Sequence, residues 1–291
     1  MKRTLFLAGL LIGCPAATTE PQEEESPQEA AASAEEAPAP TEEKKAMIGD
    51  GVDEAAFKKM HELSDARAPD PQGEAVEIAG ATGYLSLPEG EGPHPGVVVI
   101  HEWWGLNDNI KYWADRLAAV GYAALAVDLY GGKVATNADD AASYMKSVEQ
   151  SAANEILVAA HVFLGSDDRV RAPKVGSIGW CFGGGQSLQL AIAESGLDAA
   201  VMYYGFPTMD EELLGKIEAP ILGIFANQDD FIPPDKVDAF AKALEKAGVA
   251  HTIHRYDAVH AFANPSNAKY DQAAAADAFE KSKAFFAEHL R

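Results

Sequence analysis

One cysteine in the sequence stands where a nucleophile is expected. Cys181 lies in the run Gly-Trp-Cys-Phe-Gly-Gly at positions 179–184, between a stretch that predicts a strand and one that predicts a helix. The pattern Gly-x-nucleophile-x-Gly forms a sharp strand-to-helix turn. The helix amino terminus then directs N–H groups at the sulfur and favours its thiolate. The alternative is a structural cysteine, and a phosphate-binding loop is disfavoured because no Lys-Ser/Thr follows the glycines.

A cysteine nucleophile needs a histidine that takes its proton and an acid that orients the histidine. Asp229 and His260 follow Cys181 in the order nucleophile, acid, histidine, and each stands directly after a predicted strand. Asp230 is the alternative acid. Four other histidines have no catalytic neighbourhood in the sequence: His61, His94, His161 and His289.

A second loop follows the fully apolar stretch at 96–100 and reads His-Glu-Trp-Trp-Gly-Leu-Asn at 101–107. Acyl transfer requires N–H donors directed at the oxygen that becomes negative in the transition state. We expect the backbone amides of Trp103 and Phe182 to form this oxyanion hole.

Strands and helices alternate after Pro71, which predicts a mostly parallel, doubly wound sheet with helices on both faces in a domain at 73–291. Ligands bind at the carboxyl ends of such strands, where all of the candidate residues fall. Predicted strands cover 76–78, 84–87, 96–101, 122–127, 174–178, 199–204, 221–225 and 251–256. Predicted helices cover 108–120, 138–164, 182–195, 234–247 and 271–289.

The charge of the chain excludes some classes of partner. Its 291 residues include 45 acidic and 23 basic side chains, with a formal charge of −22. An acidic surface repels nucleic-acid phosphates and anionic lipid headgroups, so we expect neither as a partner. We also expect no metal and no other cofactor, and the pattern does not decide the oligomeric state.

The first residues have the pattern of a bacterial lipoprotein signal. Lys2 and Arg3 precede an apolar run at 5–12, which is too short to span a bilayer as a permanent helix. Residues 11–14, Leu-Ile-Gly-Cys, resemble a lipobox, after which we expect cleavage, a signal peptide at 1–13 and lipidation of Cys14. The domain would then be exported to the bacterial cell envelope, in the periplasm or outside the cell, with this lipid as its membrane contact. The alternative is an ordinary secretory signal cleaved near residue 16 or 17.

Two further segments precede the domain. Residues 14–47 are rich in Pro, Ala and Glu and contain no aromatic residue, which is typical of a disordered acidic tether. Within residues 48–72, the side chains of Phe57, Met60 and Leu63 share one face of a short amphipathic helix. We interpret this lead helix as a packing appendage.

The motifs together resemble the dienelactone hydrolase family of the α/β-hydrolase superfamily, over about residues 74–289. The matching stretches are 101–107, 128–130 (Asp-Leu-Tyr), 179–184, 203–205 (Tyr-Tyr-Gly), 228–233 (Gln-Asp-Asp-Phe-Ile-Pro) and 260–262 (His-Ala-Phe). The resemblance implies an α/β-hydrolase fold and a small-molecule ester or lactone substrate, cleaved through a thioester acyl-enzyme. It also implies a triad of Cys181, Asp229 and His260, a contact from Glu102 to the nucleophile, and Tyr204 in the site wall.

The sequence departs from the family at two positions. Family members bind the substrate carboxylate with two arginines, and this sequence has neither. Asn264 stands at one of these positions, and the stretch that should carry the other has only Lys133 as a cation. An amide and a lysine bind a carboxylate less well than two arginines do, so we expect a less anionic ester or lactone. Trp104 and Phe262 complete the expected substrate-binding residues.

Two other functions fit the same residues. One is a thioesterase or peptidase that uses the same triad. The other is a non-catalytic, tethered binding module with a vestigial site.

Overall fold

The computed structural model describes residues 47–48, 52–64 and 66–291, all within one compact unit. The expected signal peptide, the lipidation site at Cys14 and almost all of the predicted tether lie outside the described residues. Within the described part of the chain, no helix combines the length and the apolar character needed to cross a membrane.

Eight strands form one sheet. In chain order they are β3 (Glu74–Ile78), β4 (Ala81–Ser86), β5 (Gly96–Ile100), β6 (Ala123–Val127), β7 (Val175–Trp180), β8 (Ala199–Tyr203), β9 (Ile221–Gln228) and β10 (His251–Val259). Their order across the sheet is β10-β9-β8-β7-β5-β6-β4-β3. The β3–β4 hairpin at one edge is antiparallel, β4 also pairs antiparallel with β6, and all other pairs are parallel. The mostly parallel sheet predicted from the sequence is confirmed.

Two shorter strands, β1 (Met47–Ile48) and β2 (Val52–Asp53), form a separate antiparallel pair. The helices of the described residues are α1 (Glu54–Met60), α2 (Asp108–Ala118), α3 (Ala138–Lys146), α4 (Gln150–Ser166), α5 (Phe182–Ala193), α6 (Glu211–Leu214), α7 (Pro234–Ala247) and α8 (Gln272–Leu290).

Two predicted helices differ from the structure. The single helix expected at 138–164 is two helices, because the backbone leaves the helical conformation after Ser147, the C-cap of α3, and is extended at Glu149 before α4 begins. In the lead segment, α1 ends at Met60. Leu63 therefore does not extend the buried face with Phe57 as expected, and it is exposed.

The centre of the sheet positions the site. Every residue of β5, β6, β7 and β8 is buried, which explains their continuous apolar sequences. Because β5, β7, β8, β9 and β10 run parallel, the residues that follow them meet at one edge of the sheet. These residues are His101 to Trp104, Cys181, Tyr204, Asp229 and His260.

The start of α5 approaches the neighbouring strand closely enough to require glycine. A Cβ atom at Gly183 would lie 2.2 Å from the Ile100 carbonyl oxygen and 2.5 Å from that of His101. Backbone at the end of β5 cannot move aside without disturbing its pairing with β7. Gly183 therefore allows the helix to begin directly behind the nucleophile.

We predict that Gly183→Ala lowers the free energy of unfolding by about 3 kcal/mol, since the added methyl group overpacks the junction. Urea denaturation of both proteins measures the difference. Gly165→Ala is the matched control, because a Cβ atom there meets nothing within 4 Å in α4 and should stabilise by up to about 1 kcal/mol. Equal effects of the two substitutions would contradict the close-approach explanation.

Candidate active site

The backbone at Cys181 has an unusual conformation. Its φ of 53° and ψ of −115° lie outside the regions that non-glycine residues prefer, at a cost of about 1–3 kcal/mol. The Cys181 amide donates to the Tyr203 carbonyl at 3.0 Å, and the Cys181 carbonyl accepts from the Gly185 amide at 3.2 Å. Bonds to β8 and to α5 thus hold the turn, and the sulfur lies at the amino terminus of α5.

The structure brings His260 and Asp229 together at the same edge of the sheet. His260 Nδ1 donates to Asp229 Oδ2 at 2.6 Å, and both side chains are buried. The other carboxylate oxygen accepts from the amides of Phe231 and Ile232 at 2.9 and 3.1 Å. Asp230, the alternative acid, is exposed. Of the two acids, Asp229 is therefore the one that orients the His260 ring.

Burial and charge set the protonation of this group. Burial raises the pKa of the Cys181 thiol, and the nearby His260 ring offsets this only in part, so the resting sulfur is protonated. Burial alone would lower the pKa of His260, but the charge of Asp229 raises it well above its ordinary value. Despite its own burial, Asp229 has a lowered pKa because of the charge and hydrogen bond of His260. The histidine is thus a stronger base than free imidazole.

Glu102 follows β5 on a fixed loop. The ring of the preceding residue, His101, donates from Nδ1 to the Glu102 carbonyl at 2.5 Å and accepts at Nε2 from the Leu129 amide at 3.1 Å. The Glu102 carboxylate accepts a hydrogen bond from the Asn264 side-chain amide. Burial raises the pKa of Glu102 to about 7, against the lowering effects of His260 and Asn264. This carboxyl group can therefore exchange a proton near neutral pH.

The Asn264 side chain makes three hydrogen bonds within the protein. Its amide nitrogen donates to Glu102, and its carbonyl oxygen accepts from the amide and the hydroxyl of Ser266 at 2.8 and 2.7 Å. The structure does not bring Lys133 to the cluster, because this exposed side chain lies over the Tyr144 ring, 5.3 Å from its centroid. In this arrangement, neither Asn264 nor Lys133 is positioned as the arginines that bind the substrate carboxylate in the family.

Buried aromatic rings surround the sulfur and the imidazole. The Tyr204 ring lies 5.1 Å from the His260 ring and 5.5 Å from Phe262. Trp104 packs against Trp103, with ring centroids 4.9 Å apart. Tyr204, Phe262 and Trp104 thus lie in the expected region, whereas the oxyanion roles of the Trp103 and Phe182 amides stay predictions.

The lead segment supplies two residues of the site that the sequence reasoning missed. His61 Nε2 lies 3.7 Å from Cys181 Sγ, and its Nδ1 donates to the Phe57 carbonyl at 2.8 Å. The Phe57 ring lies 5.0 Å from both Trp103 and Phe231 and 5.9 Å from His260. The helix face containing Phe57 was predicted from its periodicity. No motif marks His61, and only its spacing four residues after Phe57 on the same face could have indicated it.

The lead segment is tied to the catalytic domain at both ends. Near its start, the Glu54 carboxylate pairs with Lys146 of α3, and Lys58 pairs with Asp139 at 2.6 Å. After the helix, backbone bonds join Ser64 to Ser266 at 2.6 Å and Ala268 to Glu62 at 3.0 Å. Segments on both sides of His61 therefore fix its ring over the sulfur.

This segment closes the site. Cys181 and His260 have no exposed surface, and Phe57 and His61 cover them from the side of the lead segment. Burial raises the free energy of a charged His61 ring and lowers its pKa to about 3, so the ring is neutral at physiological pH. Phe57 and His61 therefore lie between the sulfur and any substrate that approaches from the side of the lead segment.

The sheet order, the strained cysteine at the β7–α5 turn and the buried Asp–His pair after β9 and β10 define an α/β-hydrolase. The sequence model of the dienelactone hydrolase family matches residues 81–290. The chain therefore belongs to the dienelactone hydrolase family, a family of carboxylic ester hydrolases. Phe57 and His61 lie outside the matched residues.

Relatives and solved structures agree with this assignment. Protein usf of Aquifex pyrophilus is 39% identical over 217 residues, which cover 72% of this chain and 93% of the relative. A putative carboxymethylenebutenolidase of Aquifex aeolicus is 35% identical over 218 residues, with 72% and 94% covered. The crystal structure of a dienelactone hydrolase-like promiscuous phosphotriesterase from metagenomic libraries is 29% identical with a TM-score of 0.67, covering 76% of this chain and 99% of the other.

The raised pKa of Glu102 makes stability depend on pH. Between about pH 4.5 and 7 the unfolded chain loses a proton that the folded protein keeps, so folding becomes less favourable as the pH rises through this range. Glu102→Gln removes this penalty. Its free energy of unfolding relative to wild type should rise by as much as about 3 kcal/mol from pH 4.5 to 7.

Denaturant unfolding at pH 5.0 and 7.5 measures this difference. Glu155→Gln, which removes an exposed carboxylate of α4, is the control for the loss of a surface charge. If Glu102→Gln changes the free energy of unfolding by the same amount at both pH values, burial does not keep the Glu102 carboxyl group protonated.

We predict that Phe57→Ala opens the site. Removal of the ring takes away the aromatic contacts of the lead segment, so Cys181 should react with iodoacetamide at least tenfold faster than in wild type. Peptide mapping separates Cys181 from Cys14. Phe57→Leu, which keeps most of the volume, should react at nearly the wild-type rate. Unchanged labelling of Phe57→Ala would mean that the lead segment does not control access.

Proposed function

We propose that this protein hydrolyses carboxylic esters or lactones through a thioester on Cys181, with His260 as base and Asp229 as the acid that orients it. The observation that carries the proposal is the bond of 2.6 Å from His260 Nδ1 to Asp229, with a ring nitrogen of His260 within 4.8 Å of the Cys181 sulfur. Such a pair can orient the imidazole toward the thiol at the strand-to-helix turn.

The first half of the reaction forms the acyl-enzyme. Once the lead segment has moved, His260 Nε2 takes the proton of the Cys181 thiol, and the thiolate attacks the carbonyl carbon of the substrate. The amides of Trp103 and Phe182 bind the oxyanion. The bond to the leaving oxygen breaks, and the imidazolium gives its proton to the departing alkoxide.

The second half releases the acid. His260 takes a proton from water, the hydroxide attacks the thioester carbonyl, and the C–S bond breaks. The sulfur regains its proton from His260. Glu102, whose pKa lies near neutrality, assists by exchanging a proton with the thiol when the substrate enters.

The residues around the sulfur favour an uncharged or weakly anionic substrate. Asn264 is engaged with Glu102 and Ser266, and Lys133 lies over Tyr144, so neither is free to bind a carboxylate. The wall near Cys181 consists of aromatic rings from Phe57, Trp103, Tyr204 and Phe231. Relatives named putative carboxymethylenebutenolidases support a lactone within this class.

The experiment that tests the proposal is turnover of an activated aryl ester by wild type, Cys181→Ala and Cys181→Ser. Loss of turnover in the alanine variant and strong loss in the serine variant are expected, because serine lacks an acidic thiol. Retained turnover in Cys181→Ala would remove the cysteine from the mechanism. A panel of ester, thioester and peptide substrates separates the proposed esterase from a thioesterase or peptidase, and no turnover of any of them would favour the non-catalytic binding module.

Asp229→Asn should lower kcat by about 10³- to 10⁴-fold, since the amide no longer holds the His260 ring in the tautomer that the base step needs. Asp230→Asn is the matched control at the adjacent, exposed position and should change kcat less than twofold. Steady-state kinetics of the two variants measure the effects. A larger loss in Asp230→Asn would reverse the assignment of the acid.

We also propose, from the sequence pattern at residues 2–14, that the protein is exported and lipidated at Cys14. The mass of the mature amino terminus tests this proposal. A lipid-modified Cys14 is expected, whereas an unmodified terminus at Ala or Thr would leave an ordinary secreted protein.

A further inference from the structure

We propose that His61, Cys181 and His260 form a binding site for one zinc-class transition-metal ion, and that the bound ion inhibits the hydrolase by joining the lead segment to the catalytic residues. The inhibition rests on the proposed function, but the binding does not. The proposal adds an inhibitory ligand to the site and leaves the metal-free protein as the active form.

One pair of the three ligand atoms is already close to the required separation, and the third atom lies near both. One ring nitrogen of His61, Cys181 Sγ and one ring nitrogen of His260 all lie within 4.8 Å of one another, and the sulfur is 3.7 Å from His61 Nε2. A tetrahedral zinc ion with bonds of about 2.3 Å to sulfur and 2.0 Å to nitrogen separates such atoms by about 3.5 Å. The Cys181–His61 pair would move by only a few tenths of an ångström.

Hydrogen bonds fix both histidines in the form that binds a metal. His61 Nδ1 donates to the Phe57 carbonyl at 2.8 Å, and His260 Nδ1 donates to Asp229 at 2.6 Å. Neither acceptor has a proton to give, so each Nδ1 carries a ring proton and each Nε2 is the nitrogen left to bind a metal. Donation of the second ring N–H to a carbonyl or carboxylate is the usual support of histidines that ligate metals.

The metal-free arrangement leaves one nitrogen unsatisfied. Among the described residues, His260 Nε2 is buried without a hydrogen-bond partner of normal geometry. One metal ion would accept both lone pairs and the sulfur at the same time.

The chemistry of the three ligands selects the class of ion. Thiolate and imidazole favour zinc and similar borderline-soft ions over magnesium and calcium, which prefer oxygen. A divalent ion would release the thiol proton, and the charges of the thiolate and of the adjacent Asp229 would balance its own. Burial of the ion would therefore leave no net charge in the site.

Ligation would block the hydrolase in two ways. The ion would occupy the sulfur lone pair that attacks the substrate and the His260 lone pair that takes the proton. It would also connect His61 of the lead segment to two residues of the domain. Phe57 and His61 could then not move away from the site.

The test uses the full-length chain with Cys14→Ser, so that Cys181 is its only thiol. After treatment with a chelator, the protein is titrated with Zn²⁺ by calorimetry, and with Co²⁺ while thiolate-to-metal charge-transfer absorption is recorded. We expect one equivalent of Zn²⁺ and a charge-transfer band. His61→Gln should bind Zn²⁺ at least tenfold more weakly, and Cys181→Ser should lack the band. His161→Gln, which changes a histidine of α4, is the control and should match the parent protein.

Circular dichroism and the thermal midpoint of each variant show whether it is folded, and His61→Asn serves as a second variant if His61→Gln is not. Zn²⁺ should raise the midpoint of the parent protein more than that of either His61 variant. The proposal is overturned if the parent protein binds no stoichiometric Zn²⁺, or if a folded His61 variant binds it as tightly as the parent.

Turnover of an activated aryl ester separates this proposal from the proposed function. If the metal-free protein hydrolyses the ester and Zn²⁺ neither binds nor inhibits, the metal site is wrong and the hydrolase stands. If Zn²⁺ binds through His61 but the metal-free protein has no hydrolase activity, the metal site stands and the proposed function, with the inhibition that depends on it, is wrong.

Discussion

The placement of one sulfur atom constrains the rest of this structure. Cys181 has a positive φ between β7 and α5, and it is held there by the bond that its amide donates to Tyr203 and the bond that its carbonyl accepts from Gly185. The helix can begin so close behind the sulfur only because Gly183 has no side chain to meet the carbonyls at the end of β5. The parallel strands on either side then bring the acid, the base and Glu102 to the same edge. The local strain is offset by bonds of the central sheet, which is the most deeply buried part of the fold.

Much of this arrangement follows from the sequence. Continuous apolar runs predict buried parallel strands, and a residue that follows such a strand must lie at the carboxyl edge, which places Asp229 and His260 beside Cys181 before any coordinates are known. Local pattern did not decide between Asp229 and Asp230. Only the structure shows that the amides of Phe231 and Ile232 bind the first carboxylate while the second is exposed.

Other features could not be predicted, for physical reasons. The end of α3 depends on the backbone conformation between Ser147 and Glu149, which a helical period does not detect. The position of His61 depends on tertiary contacts between the lead segment and the chain near Ser266, more than 200 residues away. A lone histidine without a motif carries no such information. The same limit applies to Lys133. Its position in the sequence suggested a place in the site, but in the structure its side chain lies over Tyr144.

The proposed mechanism depends most directly on a covalent bond between the substrate and Cys181. Rapid mixing of the protein with an activated aryl ester, followed by acid quenching and peptide mass spectrometry, detects that bond. We predict a mass increase equal to the acyl group on the peptide containing Cys181, with more adduct retained in His260→Ala if that variant is acylated, because water is not activated without the imidazole. Consumption of the ester with no adduct on Cys181, or with the adduct on another residue, would contradict the account.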